Sequence, residues 1–212
     1  MSQEQLKERN IRAVTELALD CFIESGIDNT KVSCIARRAG LTERSVFRYF
    51  KTKADLVLAA SYLYWNRVIE YINGRLTESS DDLSGLELVR QLLIFYSNLF
   101  LEDPKGIRFT LDAELVLNRA GKGQKIKNRP PEPFETSTGP VAKAIKKGLE
   151  DGSISRDVDV RELYYDSYDA ILGIMQRLSI GGTPSAAELD YKTRMKHLCD
   201  LFVSAFSGKF RF

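Results

Sequence analysis

Histidine occurs once in this sequence and cysteine three times, at Cys21, Cys34 and Cys199. The cysteines are odd in number and far apart, so they offer neither a disulfide framework nor metal-ligand spacing. No metal and no cofactor is expected, and a reducing cytoplasm fits best. His197 lies two positions from Cys199 and therefore on a different helix face. Gly121-Lys122-Gly123 lacks both the glycine spacing and the following Ser or Thr of a phosphate loop. Without an activated nucleophile, an acid–base pair or a metal site, an enzyme is not expected. No run approaches the roughly 18 to 20 apolar residues of a membrane span. The polar opening MSQEQLKERN carries no signal-peptide core, so no membrane partner is expected. Strand-like alternation is also missing; the apolar periodicity is helical nearly throughout, which predicts an all-α fold.

The charge is small in sum and uneven in distribution. The net value is +2, yet Lys31, Arg37, Arg38, Arg44, Arg48, Lys51 and Lys53 stand against Glu43 alone between positions 31 and 53. That segment carries a local +6 and leaves −4 for the remaining 189 residues. A basic stretch of this kind is the electrostatic footprint of a polyanionic partner.

About nine helices are expected. The first, through Ile11, Val14, Leu17, Ala18, Cys21 and Phe22, stops at Ser25-Gly26, where Gly supplies a left-handed cap. Asn29 or Thr30 is expected to cap a short second helix through Val32, Ile35 and Ala36, which ends at Gly40. Thr42 caps a third of about two turns, and Thr52 a long fourth from Lys53 to about Gly74. Later helices read as roughly 83–101, 104–119, 136–151, 160–180 and 185–207. The Pro- and Lys-bearing piece from Gly121 to Glu135 reads as a surface loop.

Helices two and three, joined by Ala39-Gly40-Leu41, form a helix-turn-helix at about 31–50, in which the first braces and the second enters the major groove. Ile35 and Ala36 face Val46 and Phe50, and Gly40 permits the sharp turn. That leaves Thr42, Arg44, Ser45 and Arg48 on the outer face. Arg44 has the reach for a bidentate contact to a guanine edge. Lys53 and Thr30 stand at helix N-termini, where a phosphate oxygen is favoured, and position rather than specify.

The run TKVSCIARRAGLTERSVFRYFKTKADL resembles the DNA-binding domain of the TetR family of regulators. The resemblance extends from Ala13 to Leu56, about a quarter of the chain. Gly40, Thr42, Ser45, Val46, Tyr49, Phe50 and Lys53 fall on the family's pattern, while Phe47 replaces a common Tyr, Arg44 a frequent Gly and Lys51 a frequent Pro. The resemblance implies DNA contacts at Thr42, Ser45, Phe47, Arg48, Tyr49 and Lys53. It also implies a helix-turn-helix domain over 1–52, a helical effector-binding and dimerisation domain over 53–212, a duplex operator, and repression relieved by a small molecule.

Beyond Lys53 only patterns speak. Tyr164, Tyr168, Ile171, Met175 and Leu178 recur at helical spacing, as do Met195, Leu198, Phe202 and Ala205. These seams suit either a homodimer through the last two long helices or packing within the chain. The effector site is expected among Tyr62, Trp65, Phe95, Phe109, Asp112, Tyr165 and Asp169, where carboxylates beside rings would suit a lipophilic cation. Exposed helix faces or ion pairs would explain the same carboxylates. Two other readings compete: a redox sensor at Cys34, beside Arg37 and Arg38, and an architectural DNA-binding protein with no effector.

Overall fold

In the computed structural model, which describes residues 2–76, 82–123, 133–182 and 189–209, nine helices and no strands occur among the described residues: α1 Gln3–Ser25, α2 Val32–Arg38, α3 Glu43–Tyr49, α4 Lys53–Leu76, α5 Gly85–Glu102, α6 Pro104–Arg119, α7 Pro140–Asp151, α8 Val160–Ser179 and α9 Tyr191–Phe206. The expected starts of the seventh and ninth helices move inward. Gly139 is the N-cap of α7 with Pro140 as its first residue, and Asp190 caps α9 by accepting from the Thr193 N–H. Both are local stop-and-start signals that outweigh the apolar pattern around them. Much of the expected surface loop, residues 124–132, lies outside the described residues.

The chain forms two compact units, one of residues 1–67 and 105–129, the other of 68–104 and 130–212. The expected boundary at residue 52 falls inside the first. In that unit Val14, Ala18, Leu19 and Phe22 of α1, Ile35 and Ala36 of α2, Val46 of α3, and Leu56, Val57 and Ala60 of α4 are buried. Each large apolar side chain so buried contributes about 1.5–3 kcal/mol. Phe109 of α6 stacks on Phe22, ring centres 6.2 Å apart, and meets Tyr64 edge-on at 5.9 Å. These contacts tie α6 to the three-helix head.

The second unit is organised around α5, which packs on α7, α8 and α9. Val89, Leu92, Leu93 and Tyr96 line its buried face, with Ile145, Ile171, Met175, Cys199 and Phe206 from the neighbouring helices. Burial pushes the Cys199 thiol up to about 11, so it behaves as a small apolar filler. Polar ties close the periphery. Arg90 Nη1 donates to Asp200 Oδ1 at 2.7 Å, and the Tyr191 hydroxyl to the Ser97 carbonyl at 2.5 Å.

The tightest crossing joins the start of α5 to α7. A Cβ placed on Gly85 would lie 2.0 Å from the Gly148 nitrogen and 2.5 Å from the Ala144 carbonyl oxygen, both backbone atoms that cannot swing aside. Gly74, near the end of α4, would meet nothing within 4 Å. Gly85→Ala is therefore expected to destabilise the fold by about 1–3 kcal/mol, and Gly74→Ala not at all, as read from urea unfolding of each variant against wild type.

Candidate nucleic-acid interface

The interface is assembled from α2, α3 and the turn between them. Lys31, not Asn29 or Thr30, is the N-cap of α2, and no side chain bonds there. The Thr30 hydroxyl is turned inward, 2.7 Å from the Gly26 carbonyl and 3.2 Å from that of Cys21. Thr30 is buried, so its side chain is not the one presented at the start of α2. The turn closes through Gly40 N–H to the Arg37 carbonyl at 3.1 Å and Leu41 N–H to the Ala36 carbonyl at 2.9 Å. Gly40 takes φ +66°, the left-handed region that favours glycine.

Thr42 then starts α3. Its Oγ1 accepts from the Ser45 N–H at 3.1 Å and lies 2.9 Å from the Ser45 hydroxyl, so the two expected contact residues form one polar pair on the first turn. With Val46 and Phe50 buried, Thr42, Arg44 and Arg48 are exposed. Phe47 stands among them, 40% exposed. An apolar side chain so placed on a basic face is suited to a thymine methyl or a sugar edge.

Tyr49 is held by two neighbours that sequence spacing does not reveal. Its hydroxyl accepts from Asn10 Nδ2 at 3.2 Å and from Arg48 Nη2 at 3.3 Å, and the Arg48 guanidinium lies 5.3 Å from its ring centre. The bond from Asn10, then that from Arg48, stabilises the phenolate and lowers the Tyr49 pKa from its ordinary value. Asn10 thus orients, from α1 and 39 positions away in sequence, a residue expected to contact DNA. Lys53, the first residue of α4, is half-buried, and burial lowers its ammonium pKa against the opposing pull of Asp28.

The start of α4 is fixed by a reciprocal cap. Asp55 N–H donates to Thr52 Oγ1 at 3.1 Å, and Thr52 N–H to Asp55 Oδ2 at 3.0 Å. Lys122, beyond α6, donates to the other oxygen of Asp55 and to Thr52 Oγ1 at 3.4 Å.

The residues expected at the effector site fall into both units. Trp65 and Phe109 are buried in the first unit, each edge-on to Tyr64. There Tyr62 is half-buried, and Asp112 is already paired with Arg108 Nε at 3.0 Å. In the second unit Phe95 lies beside the Arg75 guanidinium, Tyr165 accepts from the Phe134 N–H at 3.2 Å, and Asp169 is exposed. The ion pair of Asp112 and the exposure of Asp169 remove the buried carboxylates that a lipophilic cation would need. A cavity of about 120 Å³ in the second unit is lined instead by Ile69, Asn73, Ser137, Thr138, Tyr164 and Tyr168.

The expected dimer seam divides as well. Tyr168, Ile171, Met175 and Met195 are buried within the single chain, so they belong to its core. Leu178, Leu198 and Phe202 remain half-buried, beside Ile180 and Leu201, which are 50% and 55% exposed.

Residues 14–60, which include the Thr42 cap, the turn and α3 just described, match the profile described as bacterial regulatory proteins, tetR family. Over this segment the chain is similar to the tetR family of bacterial regulatory proteins. It is 26% identical over 92 residues to an uncharacterised HTH-type transcriptional regulator of Mycobacterium bovis, a match covering 43% of this chain and 47% of that protein. The chain thus spans about half the length of the curated relatives it matches. Its fold is similar to that of a Mesorhizobium loti protein described as a TetR-family transcriptional regulator, with a TM-score of 0.66, 19% identity and full coverage of both chains. It is also that of the Bacillus subtilis transcriptional regulator FadR solved in complex with stearoyl-CoA, with a TM-score of 0.59, 18% identity, and 92% and 98% coverage.

The Lys122 bond, followed by the Thr52 bond, holds the Asp55 carboxyl below its ordinary 3.8, with burial opposing. A depressed carboxylate adds stability that is complete above its unfolded pKa and is lost as pH falls through the lower folded value. In Lys122→Met the decline in unfolding free energy below pH 4 is expected to be shallower than in wild type, measured by denaturant titration across acid pH.

Proposed function

We propose that this protein is a dimeric transcriptional regulator that reads duplex DNA with α3 and releases it when a small molecule binds the helical body. The observation that carries this reading is the outward set on α3. Thr42, Arg44, Phe47 and Arg48 are exposed around a helix whose Val46 is buried, which sets two arginines and one apolar ring on a single outward face. Arg44 supplies base discrimination in the major groove, Ser45 and Tyr49 serve base edges or phosphates, and Lys53 at the head of a 24-residue helix meets a phosphate. A twofold dimer places two such helices one turn of duplex apart, about 34–36 Å.

The outward side of α8 and α9 is the dimer contact, with Leu178, Ile180, Leu198, Leu201 and Phe202 as its apolar members. The effector acts by population shift: it binds better when the two reading helices are wrongly spaced, and lowers DNA affinity by that difference. The stearoyl-CoA complex of the similar regulator makes an acyl thioester the first effector to try.

Selection of random duplexes at two salt concentrations is expected to return a near-palindrome with half-sites about one turn apart. On that site Arg44→Ala should relax the preference at one base pair per half-site by about 1–3 kcal/mol. Lys53→Ala should weaken selected and random DNA alike. Equal losses on both DNAs for both variants would contradict this division of labour. Leu201→Glu should give a monomer by size-exclusion chromatography with light scattering, and should lose the palindrome while its circular dichroism stays helical.

A further inference from the structure

The first unit carries a second cluster that DNA reading leaves unused. A cleft of about 360 Å³ lies where the end of α1 meets α2, and both cysteines of this unit open on it, together with Lys31, Arg37 and Arg38. The two thiols are placed differently. Cys21 is only 5% exposed and accepts from Arg38 Nη1 at 3.0 Å. Burial raises its pKa, and Arg38 pulls the other way. Cys34 is half-buried on the brace helix, with Arg37 Nη2 3.8 Å from its sulfur. Arg38 also faces a countercharge on α1, Glu24, at 3.6 Å. Lys31, Arg37 and Arg38 are all exposed. A reachable sulfur, a second sulfur on the inner wall and three cations around one opening are the surroundings that make a thiol attack an anionic electrophile.

We propose that this cleft is a thiol-exchange site for small anionic disulfides, with Cys34 as the attacking thiol and Lys31, Arg37 and Arg38 as the charges that draw the reagent in and seat it. The step is simple exchange. Cys34 gives up its proton, and its sulfur attacks one sulfur of the reagent. A Cys34–reagent disulfide forms as the reagent's own S–S bond breaks, and the departing thiolate takes up the proton. The reagent is itself the oxidant. The inner-wall Cys21, shielded and held by Arg38, stays a thiol.

The test uses the whole chain and two chromogenic disulfides, the dianion dithiobis-nitrobenzoate and the neutral dithiodipyridine. Each rate is divided by that of a free small thiol, and peptide mass mapping locates the adduct. The adduct is expected on Cys34, with the normalised anionic rate at least about tenfold above the neutral one. That advantage should vanish in Lys31→Gln/Arg37→Gln and at about 1 M salt, where charges are screened within about 3 Å. The neutral rate should hold in the variant, which also verifies that the cleft is still folded. First reaction at Cys21 or Cys199, equal normalised rates, or a variant that keeps the advantage or slows both reagents alike would overturn the proposal. None of these readings requires DNA, so failure here is separate from failure of the regulatory reading.

Discussion

Everything at the proposed reading surface depends on a seven-residue helix being held in place by another of the same length. Neither α2 nor α3 has the dozen or so residues an isolated helix needs to persist in water. Their stability is tertiary: Ile35 and Ala36 on one, Val46 and the following Phe50 on the other, all buried within the first unit. Once those four side chains are inside, the remaining positions of α3 have nowhere to point but outward. The chemistry of the exposed face is thus a by-product of the packing of the hidden one.

The same logic divides the basic segment between two uses. Arg44 and Arg48 extend from α3, whereas Lys31, Arg37 and Arg38 surround the cleft beside α2. A count of charge along the sequence merges these groups, because it has no knowledge of helix faces. Arg48 shows a further refinement. Its guanidinium both donates to the Tyr49 hydroxyl and lies near that ring, so each of these adjacent side chains restricts the other.

Much of the fold was legible because helix punctuation is local. Thr42, Thr52, Gly26 and Gly40 each declared a boundary through the chemistry of one residue, and the structure places caps or left-handed turns at all four. Thr30 misled for an equally physical reason. A threonine before a helix can cap it, but here its hydroxyl finds two carbonyls from the end of α1, a tertiary choice that no local rule contains. The seams of α8 and α9 were visible as periodicity, yet period alone does not say whose surface covers a face. Ile171 and Met175 turned out to be covered by their own chain. Asn10, which holds Tyr49, and Lys122, which holds Asp55, left no signal, since each meets its partner across dozens of residues.

Gly40 has a consequence of its own. Its backbone is left-handed, yet a Cβ built there would meet nothing within 4 Å. The obstacle to any other residue is therefore the mirror sense of the amino acid and not its bulk, since an L side chain collides with its own carbonyl in this region. A d-alanine introduced by chemical ligation would sit in its native basin at +66° and would also strip freedom from the unfolded chain, which glycine leaves loose. The turn between these two helices is thus a place where the protein is limited by the chirality of its building blocks and not by the room around them.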